Sequence, residues 1–430
     1  MRIHSILPAL GATVLLTVTV GPSVAAQPNS GGGCTPTWQL MDTPPLGPSA
    51  TVASVSALSA QDVFFTGGDT RVFGSGAAGI RAEGFAGVLR WNGHSFKSIA
   101  PLPAPTSSQP LSDEIHVFSA TRFGSDTEGW SLAQREQYVD DSAQGLDPAS
   151  TMWHWHDGRW TLTPAAVSAD PEHYQGEQHL DVVSVSADDA WVVGQFGFLA
   201  SYGALVEHWD GSHWSFVQNP AAAQPGAALT AISAVSPTNI WAVGDQADAD
   251  TGHAVPLVEH WDGLAWTVVP VPTPVRDGTA QLQSVSTTRN GDVWAGGSQV
   301  SADGTSDELI EHWDGKRWSA QTLPSTDFGT VTITAIYAAS PDDVWASGES
   351  PLWYSTAGPG ALGVPSGFLH WDGRTWRSVP VPGPQEFAAS ASYLSLSGTG
   401  RDDVWAGGFV FNLPTGRYTP QIAHLTCGGR

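Results

Sequence analysis

Two stretches of the chain hold the side chains that acid–base chemistry would need. Glu172, His173 and Tyr174, followed by Glu177, His179 and Asp181, crowd one of them, and Arg135, Glu136, Tyr138, Asp140 and Asp141 crowd another shortly before it. Such carboxylates can act as general acid and base on a glycosidic bond, and an imidazole or phenol can move the proton. A third group, Trp353-Tyr354, offers two adjacent aromatic faces on which a sugar ring could stack. Nearness in sequence does not make groups converge on one bond, so the same residues also fit solvated polar loops and a loop anchor. Asp245, Asp248, Asp250 and His253 could ligate calcium, but their spacing is not that of a twelve-residue calcium loop and no closing glutamate follows. No nucleophile motif, phosphate-cradling glycine loop or zinc spacing appears, so no metal and no cofactor are expected.

Composition narrows what can hold these residues. The 430 residues include 41 Asp+Glu against 17 Lys+Arg, for a net charge of -24. A nucleic-acid partner is excluded, because phosphate binding needs a basic footprint. Disorder is excluded by a hydrophobic content of 41%, enough apolar surface to offset chain entropy. With 48 Gly, 31 Pro and 20 Trp, the chain reads as short strands joined by turns rather than as helices.

Residues 1–26 read as a signal peptide: Arg2, an apolar run from Ile6 to Val20, then Val24-Ala25-Ala26 before Gln27. No later run is long enough for a spanning helix. A secreted protein without a membrane anchor is the expectation, with residues 27–430 forming one domain.

That domain is built of repeats. SVSADDAWVVG from 184, SAVSPTNIWAVG from 233, YAASPDDVWASG from 337 and SLSGTGRDDVWAGG from 395 are copies of one phrase. Each is paired with a second phrase, as in LVEHWDGSHWSFVQNP from 205 and LVEHWDGLAWTVVPVP from 257. The first phrase recurs seven times, at Phe64, Trp130, Trp191, Trp241, Trp294, Trp345 and Trp405. Alternating residues broken by turn chemistry make each phrase a hairpin, so each unit is a four-stranded sheet. Such a sheet buries its faces only by stacking on neighbours. An all-β, seven-bladed β-propeller of four-stranded blades follows.

The seventh unit lacks a fourth strand, and Trp38-Gln39-Leu40-Met41 has that strand's pattern. The N-terminal strand is therefore expected to complete the last blade and close the ring. Aligning Trp38 with Trp266 and His424 with His260 puts Cys34 and Cys427 at consecutive turn positions, where a disulfide could form.

In its order of strand, glycine, loop, aromatic-Asp turn, Trp and proline, the unit resembles the kelch repeat, with Gly67-Gly68, Gly296-Gly297 and Gly407-Gly408 similar to its diglycine. The resemblance covers nearly all of the mature chain. It implies a ligand-binding face formed by the loops between second and third strands and between blades. Galactose oxidase has a central domain of this type, but its copper-radical site needs a thioether cysteine, and both cysteines here fall at the ring closure.

Repetition absorbs most of the striking residues. His154, His208, His260, His312, His370 and His424, with Arg90 in the first unit, occur once per blade on third strands, too far apart to share a metal. Each is expected to hydrogen-bond the neighbouring blade. All tryptophans but Trp153 and Trp353 fall at three repeat positions and are expected to pack blade against blade. Repeated aspartates such as Asp62, Asp189, Asp210, Asp262, Asp292, Asp343 and Asp403 are expected to cap turns. What is left for a specific site is Tyr138, Glu172, His173, Tyr174, Asp181, Trp353 and Tyr354. A monomeric, non-catalytic module binding a glycan or an extracellular protein is the first reading. A polysaccharide lyase or glycoside hydrolase is the alternative.

Overall fold

The computed structural model describes residues 36–46, 50–73, 81–99, 114–137, 150–166, 177–198, 201–272, 275, 277–325, 332–349, 367–380, 389–412 and 417–427. Residues 1–35 form a separate unit from 36–430, and the strands all belong to the latter. Seven antiparallel four-stranded sheets are arranged as a ring of blades. Blades 1 to 6 span 50–99, 114–163, 178–216, 228–268, 279–320 and 332–380. Blade 7 takes three strands from 389–426 and its fourth from Thr37–Leu40. This last strand pairs as expected, with Trp38 opposite Leu425 and Gln39 opposite His424, as Trp266 lies opposite Trp261 and Thr267 opposite His260 in blade 4. No helix among the described residues is long and apolar enough to cross a membrane.

Blades join through the second-strand tryptophan. Trp191 lies 5.0 Å from Trp261 and 5.7 Å from Trp266 of the next blade. Trp241 meets Trp313 and Trp318 in the same way, at 5.3 and 5.8 Å, and Trp345 meets Trp38 at 5.4 Å. The expected blade-to-blade packing of the repeat tryptophans is thus what closes the core, edge to face against Trp266, Trp318 and Trp38 and tilted against Trp261 and Trp313. Trp153, outside the repeat positions, is also buried, within an aromatic cluster of Phe64, Phe123, Trp155 and Trp160.

The histidines correct the expectation made for them. Each bonds within its own blade. His208 Nε2 donates to Asp189 Oδ1 at 2.9 Å, His312 Nε2 to Asp292 Oδ1 at 2.9 Å and His424 Nε2 to Asp403 Oδ1 at 2.7 Å. The ring lies flat on that blade's own tryptophan, 3.9 Å from Trp294 for His312 and 3.6 Å from Trp405 for His424. Register explains this, because the histidine sits directly opposite the tryptophan on the adjacent strand. Blade 1 substitutes Arg90, bonded to Asp62 at 2.6 Å and set over Phe64.

The repeated aspartates accordingly divide in two. Asp210, Asp262, Asp314 and Asp372 do cap their turns, each Oδ1 accepting the N–H groups two and three residues on. The N–H of His213, with Ser212, holds the Asp210 carboxyl down at about 2. Asp62, Asp189, Asp292, Asp343 and Asp403 instead accept from the third-strand His or Arg. Asp189 and Asp403 also accept the indole N–H of Trp191 and Trp405.

Each first strand carries a bulge, between Val52 and Ser54 in blade 1 and between Leu282 and Ser284 in blade 5, for example. The residue paired just before it faces a glycine, because the bulge pushes first-strand backbone against the second strand. A Cβ at Gly194, Gly297 or Gly408 would lie 1.8, 1.9 or 1.9 Å from a backbone oxygen. The equivalent glycine in blade 1 is Gly67 and blade 2 alone substitutes Ala133, opposite Phe118, so six of the seven repeats align on this one glycine and not on the diglycine pairs.

Asp292→Ala should strand the His312 N–H beneath the Trp294 ring and cost roughly 1–3 kcal/mol in urea unfolding. Asp314→Ala, which removes an exposed turn cap, should cost less; equal losses would contradict the division of the aspartates.

Candidate functional site

The seven first strands line the axis of the ring. Their side chains Ser54, Arg122, Asp181, Thr230, Gln283, Ser284, Thr334 and Ser395 surround a cavity of about 140 Å³. Adjacent first strands form no shared ladder, so side chains bridge them. Ser54 Oγ accepts the Thr121 N–H at 3.0 Å, Ser395 Oγ the Val55 N–H at 3.0 Å and Ser286 Oγ the Ala338 N–H at 3.0 Å, each in the following blade. The Ser-x-Ser that opens the first phrase in blades 5 and 7, Ser284-Val285-Ser286 and Ser395-Leu396-Ser397, was the sequence signal for this stitching.

Asp181 takes the serine's place in blade 3. Its Oδ2 accepts the Ile232 N–H of blade 4 at 3.1 Å, and its Oδ1 lies 3.3 Å from Arg122 Nη2 of blade 2. Burial raises its pKa, against the opposing pull of Arg122 and two backbone N–H groups. One carboxylate thus ties three blades together at the axis. Of the residues singled out from sequence as site candidates, Asp181 is the one the structure describes. Tyr138, Glu172, His173, Tyr174, Trp353 and Tyr354 lie outside the described residues, as do Asp140 and Asp141.

His179, in the same polar stretch, is wholly buried and pairs with the equally buried Glu207 at 3.0 Å. Glu207 belongs to a set that sequence reasoning passed over: Glu207, Glu259 and Glu311, the glutamate of the HWDG phrase, each at 0% exposure. Glu207 accepts the Ala166 N–H at 3.2 Å and Glu259 the Ala221 N–H at 2.8 Å, in each case from the connection entering its own blade. The connection entering blade 5 contains Pro270 and Pro272, which have no N–H to give, and neither Glu311 oxygen has a partner among the described residues. Burial pushes Glu259 up to about 7 and Glu311 up to about 8. The signal was three identical glutamates on an inward strand position, which a solvated residue would not need.

The four calcium candidates do not converge. Asp248 accepts the N–H groups of Asp250 and Thr251 and the Thr251 hydroxyl, which closes its own turn, while Asp245 is half-buried in a strand and pushed up to about 6 by that burial. Among the described residues, Glu128, His154 and His156 alone bring three ligand atoms capable of holding a metal within 4.8 Å of one another.

No protein-family model and no curated protein matches the chain. Solved structures do. An ulvan lyase, a polysaccharide lyase bound to -[GlcA(1-4)Rha3S]-, is similar with a TM-score of 0.52 at 8% identity, over 89% of this chain and 95% of that one. A protein of unknown function from Dyadobacter fermentans matches at 0.47 and 12% identity, over 92% and 99%. A fucose-specific lectin from Aleuria aurantia matches at 0.40 and 11% identity, over 78% and 97%. The likeness is one of fold: it supports the propeller and no kelch or galactose-oxidase family within it.

Glu259 and Glu311 set a pH dependence. A carboxyl whose folded pKa is raised contributes fully below its unfolded value, and that contribution is lost as pH rises through the folded one. For Glu311 the loss runs from about 4.5 to about 8. Glu311→Gln should therefore raise Tm by roughly 5 °C at pH 8.5 and leave it nearly unchanged at pH 4.5; a gain of the same size at both would refute the buried acid.

Proposed function

We propose that the protein is a secreted, non-catalytic propeller module that binds a glycan or an extracellular protein through the end of the ring where second strands run into third strands and blades connect. Asp181 is the observation that carries this reading. Of Glu172 and Asp181, the two carboxylates kept as site residues, it is the one the structure describes, and it is committed to Ile232 N–H and Arg122 in the channel wall. A catalytic acid or base needs a free oxygen within reach of substrate. The remaining candidates flank described strands in the sequence: Tyr138 follows Glu128–Gln137, Glu172, His173 and Tyr174 precede Gln178–Ser186, and Trp353 and Tyr354 follow Asp343–Glu349. In this reading Trp353 and Tyr354 supply the stacking surface, and the Glu172 group supplies hydrogen bonds to hydroxyls.

Export belongs to the same proposal. Residues 1–26 are removed, the mature monomer begins at Gln27, and Cys34 bonds to Cys427. Support comes from the closing pair Thr37 and Thr426, since Cys427 directly follows Thr426 and Cys34 shortly precedes Thr37. No cysteine among the described residues is free; Cys34 lies outside them.

Polysaccharides immobilised as a panel and assayed for both retention and product release test the function. Retention without release, weakened about tenfold by Trp353→Ala, is the expected result; release of product that is abolished by Glu172→Gln would replace the binding module by the lyase or hydrolase reading. Intact mass of the secreted protein should show Gln27 at the N-terminus and two hydrogens fewer than the reduced form. Free thiols there would remove the ring-closing bond from the proposal.

A further inference from the structure

Blade 2 breaks the repeat at two linked positions. Where the other blades place Asp62, Asp189, Asn239, Asp292, Asp343 or Asp403, blade 2 has the longer Glu128. Where blades 3 to 6 read His-Trp-Asp-Gly, blade 2 reads His154-Trp155-His156-Asp157-Gly158. The segment between the flanking tryptophans keeps its length, so the Asp-Gly pair has moved one position along.

That shift changes the hairpin. In blade 4 the paired strands stop at Trp261 and Trp266, and the Asp262 cap closes a four-residue turn. In blade 2 pairing continues one step further, to His156 opposite Arg159. Asp157 and Gly158 then make a two-residue turn with φ of 49° and 80°, the primed geometry that suits a tight hairpin. His156 is thereby held in regular strand, two residues from His154 and so on the same face. The adjacent strand sets Glu128 directly opposite His156 and Trp130 opposite His154.

The three side chains meet. His154 Nε2 lies 2.8 Å from Glu128 Oε2, and His156 Nδ1 contacts Glu128 Oε1. Both rings are oriented from behind. His154 lies flat on Trp130 at 4.2 Å and 3°. The other nitrogen of His156, Nε2, is 3.2 Å from Asp157 Oδ2, an acceptor that would hold the ring proton on Nε2 when Nδ1 ligates a metal. Glu128 and His154 are largely buried, while the His156 side chain is 56% exposed, so the cluster opens to solvent on one side.

We propose that Glu128, His154 and His156 form a binding site for a divalent first-row transition metal, zinc in the first instance, on the end of the ring opposite the long loops. Two imidazoles and one carboxylate suit zinc, with water or an external ligand in the fourth position. Among the described residues no other blade assembles such a set: at this position blades 3 to 7 offer one histidine to a shorter partner and blade 1 offers Arg90, which is sufficient for stacking and insufficient for a metal.

The test uses the full mature chain, untagged and stripped with chelator, titrated with zinc by calorimetry and with cobalt by visible absorption. One ion per chain is expected, with a rise in Tm and a tetrahedral cobalt spectrum. His156→Ala and Glu128→Gln should each weaken binding at least about tenfold, whereas His208→Ala, in the single-histidine pair of blade 3, should leave it intact. His156 is exposed, so His156→Ala should remain folded by circular dichroism. Absence of saturable binding, or binding that survives both His156→Ala and Glu128→Gln, would overturn the site.

Discussion

Every blade presents two sheet faces that water would otherwise wet, and the second-strand tryptophan is what closes them. Its ring is held on one side by the histidine of its own blade, as with Trp294 and His312 at 3.9 Å, and on the other meets two tryptophans of the next blade, Trp371 and Trp376 at 5.7 and 5.6 Å. The acceptor that fixes the histidine, Asp292 Oδ1 in this blade, sits at the start of the strand that carries the tryptophan. A carboxylate, an imidazole and an indole thus form one unit whose geometry sets the spacing to the next blade. Phe64 with Arg90 and Asp62 performs the same task in blade 1 with different chemistry, which shows that a flat apolar ring backed by a polar clamp is what the position requires.

At the axis the constraint is different. First strands radiate and cannot ladder with one another, so their backbone N–H groups need side-chain acceptors. Ser54, Ser286, Ser395 and Asp181 supply them. Further out, Glu207 and Glu259 do the same for the connections entering their blades. These buried acids stabilise specific N–H groups and cost desolvation, and Glu311 bears that cost with no partner among the described residues.

Departures from the repeat gather on one side of the ring. Blade 2 has Glu128 and His156 on its short-turn end and Arg122 at the axis facing Asp181 of blade 3. Repetition serves stability equally in all blades. Unequal residues concentrated in one blade and its connection to the next are therefore where selection for something other than stability is to be sought.

Blade number, strand order and ring closure were legible in the sequence because they rest on short-range pattern: alternation, turn residues and a tryptophan at fixed spacing. Even the strand Thr37–Leu40 was found this way, since its Trp38 matches Trp266. Contact partners were not legible. Sequence assigned the histidines to the neighbouring blade and all repeated aspartates to turns. Only cross-strand register, which sets His260 opposite Trp241, shows that the imidazole stays at home and that Asp189, Asp292, Asp343 and Asp403 clamp it in their blades. The buried glutamates were hidden for a related reason, because a glutamate on a strand looks solvated until its face is known. Likewise His156 reads as one residue of a turn in the sequence, and becomes a neighbour of His154 and Glu128 only when the hairpin extends by one pair. One-dimensional spacing therefore determined the architecture, and tertiary structure decided which polar groups meet, since a one-residue change of register moves a side chain to the other face of its strand.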